Sequence, residues 1–315
     1  MQFEIRGKDK TMSERILSVG GPRASRPISD FLTTNDYFGP KGGVYYVDGN
    51  VAATGSGSPD HPYATLAEAI TASNAAIALS ANRWWARRNR IYVCGDALSE
   101  NLTAFPTKCD VIGCGSYDGF TKAGLSGRHV PASESYGTRW FNMHFKAVAH
   151  ASAIHTLAGA SSVSGTQFIG CTFDGTLGTM TSAILATAVP FLNVIDCDFI
   201  GTFVTSYITF GAGEAGGARI IGNQMLGTAA KGIVASNTTT ASWKPLIQGN
   251  SLHATGLTID DDSDLFYVVD NRLMTDANIA TTTDGYDFNL ALASGNILTG
   301  ASGVAATVPF AVVAE

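Results

Sequence analysis

The sequence has few charged residues, no long apolar run and no paired cysteine motif, and each of these absences excludes a class of protein. Asp, Glu, Lys and Arg make up 15% of the 315 residues, against about a quarter in an average globular protein. No apolar stretch approaches the roughly 18 residues of a membrane helix, and the opening MQFEIRGKDK lacks the apolar centre of a Sec signal peptide. We therefore expect no membrane contact and no Sec signal.

Other features of the composition indicate a folded chain. Hydrophobic residues reach 45% and the mean hydropathy is +0.12, which excludes a disordered protein. The five cysteines are an odd number without a CxxC pair or a zinc spacing, so they predict neither a disulfide framework nor a metal site. We expect free thiols that pack as small apolar groups, four of them at one position of a repeat: Cys94, Cys114, Cys171 and Cys197.

Charge is distributed unevenly along the chain. The net charge is −6; residues 1–140 contain 15 Lys and Arg against 13 Asp and Glu, whereas residues 141–315 contain 5 against 13. Nucleic-acid binding needs basic residues clustered on one face, and the second part of the chain does not supply them. We therefore expect no nucleic-acid partner.

A repeat of about 25 residues runs through most of the sequence. Short apolar strands align on a Cys or Asn anchor, and the aligned segments are IYVCGD, VIGCGS, WFNMHF, FIGCTF, VIDCDF, IIGNQM, IQGNSL, VVDNRL and ASGNIL. The anchors are Cys94, Cys114, Asn142, Cys171, Cys197, Asn223, Asn250, Asn271 and Asn296. Repeats of this length, rich in Gly, Thr, Ser, Val and Ile, are typical of β-solenoids.

Side chains alternate around each anchor with a period of two, which is the period of a β-strand. The residue two places after the anchor is apolar and is predicted to face inward: Phe173, Phe199, Met225, Leu252, Leu273 and Leu298. The residue one place after it is mostly polar and is predicted to face outward: Thr172, Asp198, Gln224, Ser251, Arg272 and Ile297. Asparagine at the anchor tolerates left-handed backbone at a bend, and stacked amides can bond along the axis.

These patterns predict an all-β fold, a single-stranded parallel β-helix of about nine coils between residues 91 and 300. Residues 63–81 read as an amphipathic helix, and Thr65 with Glu68 forms a T-x-x-E capping box at its start. A β-solenoid exposes strand edges at its ends, so we expect this helix to cap the first coil. We divide the chain into an extended arm, residues 1–43, and the capped β-helix, residues 44–315.

The segment VYYVDGNVAATGSGSPDHPYATLAEAI, residues 44–70, combines a strand, a Gly/Ser loop, a Pro-aromatic pair and a capping helix before irregular β coils. It resembles the entry of pectate-lyase-like right-handed β-helix proteins, which include bacteriophage tailspikes. The resemblance covers about residues 44–300 and implies the right-handed architecture. Members of this superfamily include lyases, hydrolases and non-catalytic virion parts, so the resemblance alone does not assign a function.

The N-terminal arm carries seven Lys and Arg against five Asp and Glu and includes the turn-rich segments GGPRASRP and FGPKGG. Two interpretations stay open: an arm that lies on a partner, or a segment folded back on its own rod. In the first case the partner-binding candidates are Arg6, Lys8, Lys10, Arg15, Arg23 and Arg26.

Catalysis would require either a pair of carboxylates, as in glycosidases, or a basic residue near a carboxylate cluster, as in lyases. The glycosidases of this superfamily need two carboxylates about 5–9.5 Å apart, and Asp174 with Asp198, on adjacent coils, is the best pair available. Asp196 and Asp270 precede their anchors three coils apart and read as turn residues. No Arg or Lys within residues 141–315 stands one coil from a carboxylate cluster, so the base of a lyase is missing. Solvated surface carboxylates or Asx-turn carboxylates are the alternative interpretation of the pair.

Two further candidate sites depend on oxygen-bearing side chains. Asp260, Asp262 and Asp264 offer ligands for calcium, although the EF-hand glycine and closing Glu are absent and a solvated loop is the alternative. The outward column Asp198, Gln224, Ser251 and Arg272 is a candidate carbohydrate-binding surface. We expect no cofactor.

Small neutral outward residues and missing catalytic signals favour a non-catalytic virion protein, namely a bacteriophage capsid-decoration or tail-associated β-helix assembled in the host cytoplasm. Its expected partners are other virion proteins, contacted through the arm; a homotrimer and a surface polysaccharide are further candidates. The alternatives are a polysaccharide lyase or glycosidase, and a carbohydrate-binding β-helix without catalysis.

Overall fold

The computed structural model describes residues 42–78, 87–94, 98–114, 122–132, 135–158, 163–177, 180–235, 238–239, 243–262, 265–276, 287, 292–299 and 305–306. The regular secondary structure of these residues is β-strand apart from a single α-helix, α1 (Leu66–Ala78), and turns connect the elements. That helix is too short to span a membrane, and the described residues contain no other candidate.

The strands are short and follow one another closely. In chain order they are β1 (Val44–Asp48), β2 (Asn89–Cys94), β3 (Leu98–Ser99), β4 (Cys109–Gly113), β5 (Ala123–Ser126), β6 (Arg139–Phe141), β7 (Met143–Lys146), β8 (His155–Ala158), β9 (Gln167–Ile169), β10 (Thr172–Gly175), β11 (Ser182–Thr187), β12 (Asn193–Ile195), β13 (Asp198–Phe210), β14 (Gly213–Glu214), β15 (Arg219–Ile221), β16 (Gln224–Met225), β17 (Thr228–Ala235), β18 (Thr238–Thr239), β19 (Leu246–Gln248), β20 (Ser251–Ala254), β21 (Ile259–Asp261), β22 (Tyr267–Val269), β23 (Arg272–Thr275), β24 (Ala293–Ser294), β25 (Ile297–Thr299) and β26 (Ala305–Ala306).

Two long sheets run along the molecule. Sheet A has ten strands in the order β1-β2-β4-β6-β9-β12-β15-β19-β22-β24, and the long path of sheet B runs β26-β25-β23-β20-β16-β13-β10-β7-β5-β3. Successive strands in each sheet are parallel, apart from the antiparallel pair of β25 and β26. The chain crosses from sheet A to sheet B and returns one strand further on, so the predicted parallel β-solenoid is confirmed.

Inside the solenoid, equivalent side chains stack on one another. Phe145, Phe173 and Phe199 occupy one position of β7, β10 and β13, and Met225 and Leu252 continue the column. The rings of Phe173 and Phe199 stack at 4.7 Å between centroids, and those of Phe145 and Phe173 at 5.5 Å. All five side chains are buried, as the period of two predicts, and burying a side chain of this size contributes about 1.5–3 kcal/mol.

The last four anchor asparagines form a hydrogen-bonded ladder. Asn223 Nδ2 donates to Asn250 Oδ1 at 2.8 Å, Asn250 Nδ2 to Asn271 Oδ1 at 2.9 Å, and Asn271 Nδ2 to Asn296 Oδ1 at 2.8 Å. Each Oδ1 also accepts the backbone N–H of the preceding anchor. These amides are at most 3% exposed, so bonding along the axis, as predicted, satisfies polar groups that would be costly if left unpaired.

The left-handed backbone lies one residue before the anchor, which corrects the expectation that the asparagine itself adopts it. Gly222 and Gly249 have φ values of 68° and 65°, and Asp196 and Asp270 occupy the same position at 51° and 54°. The latter two are therefore turn residues, as predicted. Glycine suits this position because it has no Cβ to clash in the left-handed region.

The third coil is shifted by one residue from the predicted alignment. Phe141 pairs with Ile169 and His144 with Thr172, which places Met143 opposite Cys171. Asn142, with φ of 54°, is therefore the left-handed residue, and buried Met143 is the anchor. Apolar Met fills the inward space at this anchor where the next coil has cysteine.

The anchor cysteines are free but unequally buried. Cys171 and Cys197 lie in the core, as predicted, and so does Cys109, which stands outside the anchor column. Cys94 is partly exposed and Cys114 is exposed, so burial of all four anchor thiols was wrong. These two lie in the first coils of the solenoid.

Helix α1 packs on the first strands of sheet A and lies within the predicted range. Its buried face contains Leu66, Ala69, Ile70 and Ile77, the four predicted apolar residues, together with Ser73. The capping box is present, since the Glu68 carboxylate accepts the N–H of Thr65 at 3.2 Å and the Thr65 hydroxyl accepts the N–H of Glu68 at 3.3 Å. The Glu100 carboxylate accepts two more free N–H groups of the first turn.

Two buried histidines lie among aromatic rings in the core. His129 and His155 are fully buried, 4.8 Å apart between ring centroids, and neither nitrogen of His155 has a hydrogen-bond partner in the described chain. Burial lowers the pKa of His129 to about 3 and that of His155 well below its ordinary value, because a charged imidazole would lose its hydration there.

We expect acid to destabilise the fold through these histidines. Unfolded histidine binds a proton below about pH 6.5, whereas the buried pair stays neutral, so the unfolded state binds more protons. The free energy of unfolding is therefore highest above pH 6.5 and decreases as the pH falls, by up to about 1.4 kcal/mol per pH unit for each histidine. Urea unfolding at pH 7.0 and 5.5 should show a much smaller decrease in the double variant His129→Phe, His155→Phe. His150→Gln, at an exposed histidine, is the control. An equal decrease in the unmodified protein, the double variant and His150→Gln would show that the two buried histidines do not cause the loss of stability.

The asparagine ladder should contribute measurably to stability. Asn250→Ala removes an amide that bonds to two neighbouring asparagines and to the carbonyl of Ile220, leaving buried groups unpaired. We expect the free energy of unfolding to decrease by about 3 kcal/mol in urea denaturation. Ser251→Ala, at the adjacent outward residue, is the matched control and should change it by less than about 0.5 kcal/mol; equal effects would show that the ladder is dispensable.

Candidate functional site: a polar groove on sheet B

The outward face of sheet B carries a row of polar residues, one from each successive strand. The residues pair in register from β7 to β23, and the row reads His144, Thr172, Asp198, Gln224, Ser251 and Arg272. The predicted column from Asp198 to Arg272 is therefore contiguous. Its members are neighbours because parallel strands lie about 4.8 Å apart.

A pocket of about 260 Å³ opens at the His144 end of this row. Its polar lining comes from Lys122, His144, Thr172, Asp198 and Gln224, and its apolar lining from Phe199, Ile200 and Leu226. Ser251 and Arg272, the other half of the predicted column, lie outside the pocket. The candidate surface is thus divided into a concave part near Asp198 and an open part beyond Gln224.

Lys122 provides the positive charge of the pocket. Its Nζ donates to Thr172 Oγ1 at 2.7 Å and to Asp198 Oδ2 at 3.2 Å. The Lys122 side chain is 19% exposed and that of Asp198 is 46% exposed, so the pair lies at the surface, where such contacts contribute up to about 1 kcal/mol. This contact corrects the expectation that no basic residue stands near the candidate carboxylates. Lys122 lies 76 residues before Asp198, outside residues 141–315, so the spacing of the later coils does not predict it.

Asp174 is held as a carboxylate by three donors. Its Oδ2 bonds to His144 Nε2 at 3.1 Å, and its Oδ1 accepts the Thr176 N–H at 2.8 Å and the Thr176 hydroxyl. Partial burial raises the pKa of Asp174, but the hydrogen bonds from His144 and Thr176 outweigh this effect and hold the pKa at about 2. Donors that favour the charged form act in this direction.

The predicted pair, Asp174 and Asp198, lies on adjacent strands with an offset of two residues, because Asp174 pairs with Ile200 and Asp198 with Thr172. That offset places their Cα atoms roughly 8 Å apart. A glycosidase needs one carboxyl with a raised pKa to protonate the leaving group. Asp174 is ionised and occupied on both oxygens, so it does not meet this requirement, and Asp198 already neutralises Lys122. The arrangement favours binding of polar groups over acid catalysis.

The predicted calcium ligands lie on a different part of the surface. Asp260 and Asp262 are close together, and the third nearby carboxylate is that of Asp287, all within 4.8 Å; Asp264 lies outside the described residues. Lys231 Nζ forms an ion pair with Asp260 and so competes with a cation there. The predicted calcium set stays an untested prediction.

The predicted partner-binding residues of the arm, Arg6, Lys8, Lys10, Arg15, Arg23 and Arg26, also lie outside the described residues, as does nearly all of the arm.

Comparisons with known proteins add no relative to this picture. The chain matches no protein-family profile, no curated protein and no solved structure. We therefore infer the function from the geometry of this chain.

The state of Asp174 can be measured directly. We expect the carboxyl carbon of Asp174, followed by NMR, to titrate with a pKa of about 2. His144→Phe should move that pKa upward, toward the ordinary value of about 3.9, because a donor to the carboxylate is lost. Lys122→Met is the control and should leave the pKa of Asp174 nearly unchanged. A pKa above 5 in the unmodified protein would instead make Asp174 a competent general acid.

Proposed function

We propose that this chain is a non-catalytic structural protein of a virion, a β-helix rod that decorates a bacteriophage capsid or belongs to its tail. The observation that carries the proposal is the ionised, fully bonded Asp174, which leaves the best carboxylate pair of the solenoid without a general acid. Structural rods need rigidity and a docking surface, and they need no such acid.

The architecture supports the proposal by analogy. The parallel solenoid preceded by helix α1 is consistent with the pectate-lyase-like right-handed β-helix superfamily, to which we propose that the chain belongs. Non-catalytic virion parts occur within that superfamily, and fold alone does not select among its functions. The stacked phenylalanines and the asparagine ladder tie each coil to its neighbours, which suits a part that must keep its shape within an assembly.

We further propose that the arm, residues 1–43, docks the rod on other virion proteins. Its basic residues would pair with acidic groups of the partner, whereas the coil region of residues 141–315 has an excess of acidic residues. Localisation in the virion, after assembly in the host cytoplasm, follows from this proposal.

Mass spectrometry of purified virus particles tests the proposal, with the copy number of this chain measured against the major coat protein. Dozens to hundreds of copies that disappear when residues 1–43 are deleted would support a decoration protein held by its arm. A few copies would support a tail component. Complete absence from particles would overturn the proposal and favour the polysaccharide enzyme.

A second candidate function is carbohydrate binding without cleavage. It is favoured by the pocket at Asp198, in which a lysine, a carboxylate and the amide of Gln224 surround apolar Ile200 and Leu226. Sugars present both hydroxyl groups and apolar faces, and such a pocket can contact both.

A panel of bacterial surface oligosaccharides should separate this function from catalysis. Binding would shift the NMR signals of Gln224 and Leu226, and Gln224→Ala should weaken it at least about tenfold. Thr299→Ala, at the far end of sheet B, is the control. Release of reducing ends from any polysaccharide would contradict both non-catalytic functions.

A further inference from the structure

The outward face of sheet A carries an apolar stripe, in contrast to the polar row of sheet B. The residue two places before each anchor, or before Met143 in the shifted coil, points outward and pairs in register with its neighbours along the sheet. In order along the sheet, these residues are Tyr46, Tyr92, Ile112, Phe141, Ile169, Ile195, Ile221, Gln248, Val269 and Ser294. Ile112 and Phe141 are buried, at 5% and 8% exposed, so the accessible apolar part of the row begins at Ile169.

The stripe is apolar on the side that faces away from the core. Val194 and Ile220, the inward neighbours on the same strands, are fully buried, whereas Ile169, Ile195 and Ile221 remain partly exposed. Outward positions of a solenoid in water are usually polar. Partly exposed apolar residues in register on an outer face, here Ile169, Ile195 and Ile221, mark a surface that another molecule covers.

Opposite charges flank the stripe. Arg219 is exposed at the start of β15, two residues before Ile221, and Asp196 and Asp270 are exposed at the left-handed corner on the other side. Within the described chain, none of these three side chains forms an ion pair. One flank is therefore positive and the other negative, both with charges available to a partner.

Exposed aromatic residues extend the surface on the Arg219 flank. Phe191, Trp243 and Tyr267 are 45%, 67% and 42% exposed. Backbone bonds place the turns of Phe191 and Trp243 next to those of Gly216 and Gly217, on successive coils. Aromatic residues, Trp above all, are enriched at protein–protein interfaces.

We propose that sheet A is an interface between two copies of this chain, related by a two-fold axis parallel to the solenoid axis. Rotation about such an axis brings the Arg219 flank of one copy opposite the Asp196 flank of its partner, at nearly the same height along the rod. A two-fold axis running along the strands would instead place Arg219 of both copies on the same side. The charges of this face are thus self-complementary in one orientation only.

The size of the face lies near the lower end of specific interfaces. Ten parallel strands span about 43 Å, and a three-residue strand with one flanking residue on each side spans about 16 Å. Two such faces would bury at most about 1,400 Å² in total, and specific interfaces bury about 1,200–2,000 Å². The apolar stripe would lie at the centre and the charges at the rim, as in most interfaces.

Sedimentation velocity of the full chain across micromolar concentrations tests the proposal. We expect a dimer, and we expect Ile221→Glu to raise its dissociation constant at least about tenfold, because a charge would be buried in the apolar centre. Ile297→Glu introduces the same charge on the outward face of sheet B and is the matched control; it should leave the dimer intact. Far-UV circular dichroism establishes that each variant is folded.

Charge reversal tests the orientation of the two copies. Arg219→Asp and Asp196→Arg should each weaken the dimer, and the double variant should restore it, because the pair is exchanged across the interface. Failure of the double variant to restore dimerisation would overturn the parallel two-fold arrangement.

Three further outcomes would overturn the proposal as a whole: a wild-type monomer at all concentrations, a trimer, or a dimer insensitive to Ile221→Glu. Conversion of a monomer to a dimer on removal of residues 1–41 would also overturn it, since the chain would then cover its own face.

Discussion

Register between successive coils is the constraint on which the rest of this structure depends. Parallel backbone pairing places each residue directly beside its equivalent in the next coil, so whatever occupies one position is repeated along a row. Phe173 therefore stacks on Phe199, and Asn223 bonds to Asn250. Such a row is stable only if identical residues interact favourably with one another. Apolar side chains pack together, and each amide can both donate and accept a hydrogen bond. Charged residues do neither, which explains why they are rare in the described coils.

The polar groove follows from the same constraint. Two charged residues of sheet B are paired with side chains from other coils: Lys122 contacts Asp198, and His144 contacts Asp174. Against the raising effect of partial burial, the hydrogen bonds from His144 and Thr176 hold the pKa of Asp174 at about 2. The hydrogen bonds that hold Asp174 therefore leave this carboxyl unsuited to act as the acid of a glycosidase.

The two outer faces of the solenoid differ in chemistry although they belong to the same coils. Sheet B presents polar side chains and a pocket, whereas sheet A presents isoleucines between an arginine flank and an aspartate flank. A rod with one polar and one apolar face has distinct surfaces for distinct contacts. An assembly role for sheet A leaves the groove of sheet B open to solvent, so pairing of two copies and binding in the groove are compatible.

The sequence by itself determined the parts of the structure that repeat locally. The period of about 25 residues, the alternation around Cys197 and Asn223, and the capping box at Thr65 predicted the solenoid, its inward column and helix α1. Such features depend on a few neighbouring residues, and each can be read from spacing alone. The row of Ile195 and Ile221 stands two places before the anchor in the same alignment, but the left-handed residue before the anchor reverses the alternation, so the period of two does not predict that these side chains face outward.

Only the tertiary structure decided which residues meet across coils. The shift that makes Met143 rather than Asn142 the third anchor and the contact of Lys122 with Asp198 both depend on how the coils stack. Turns of unequal length leave the local strand pattern unchanged but change which residues lie beside one another in successive coils. Sequence periodicity therefore specifies the direction in which a side chain points within one strand, whereas its neighbours are specified by the register that backbone pairing imposes.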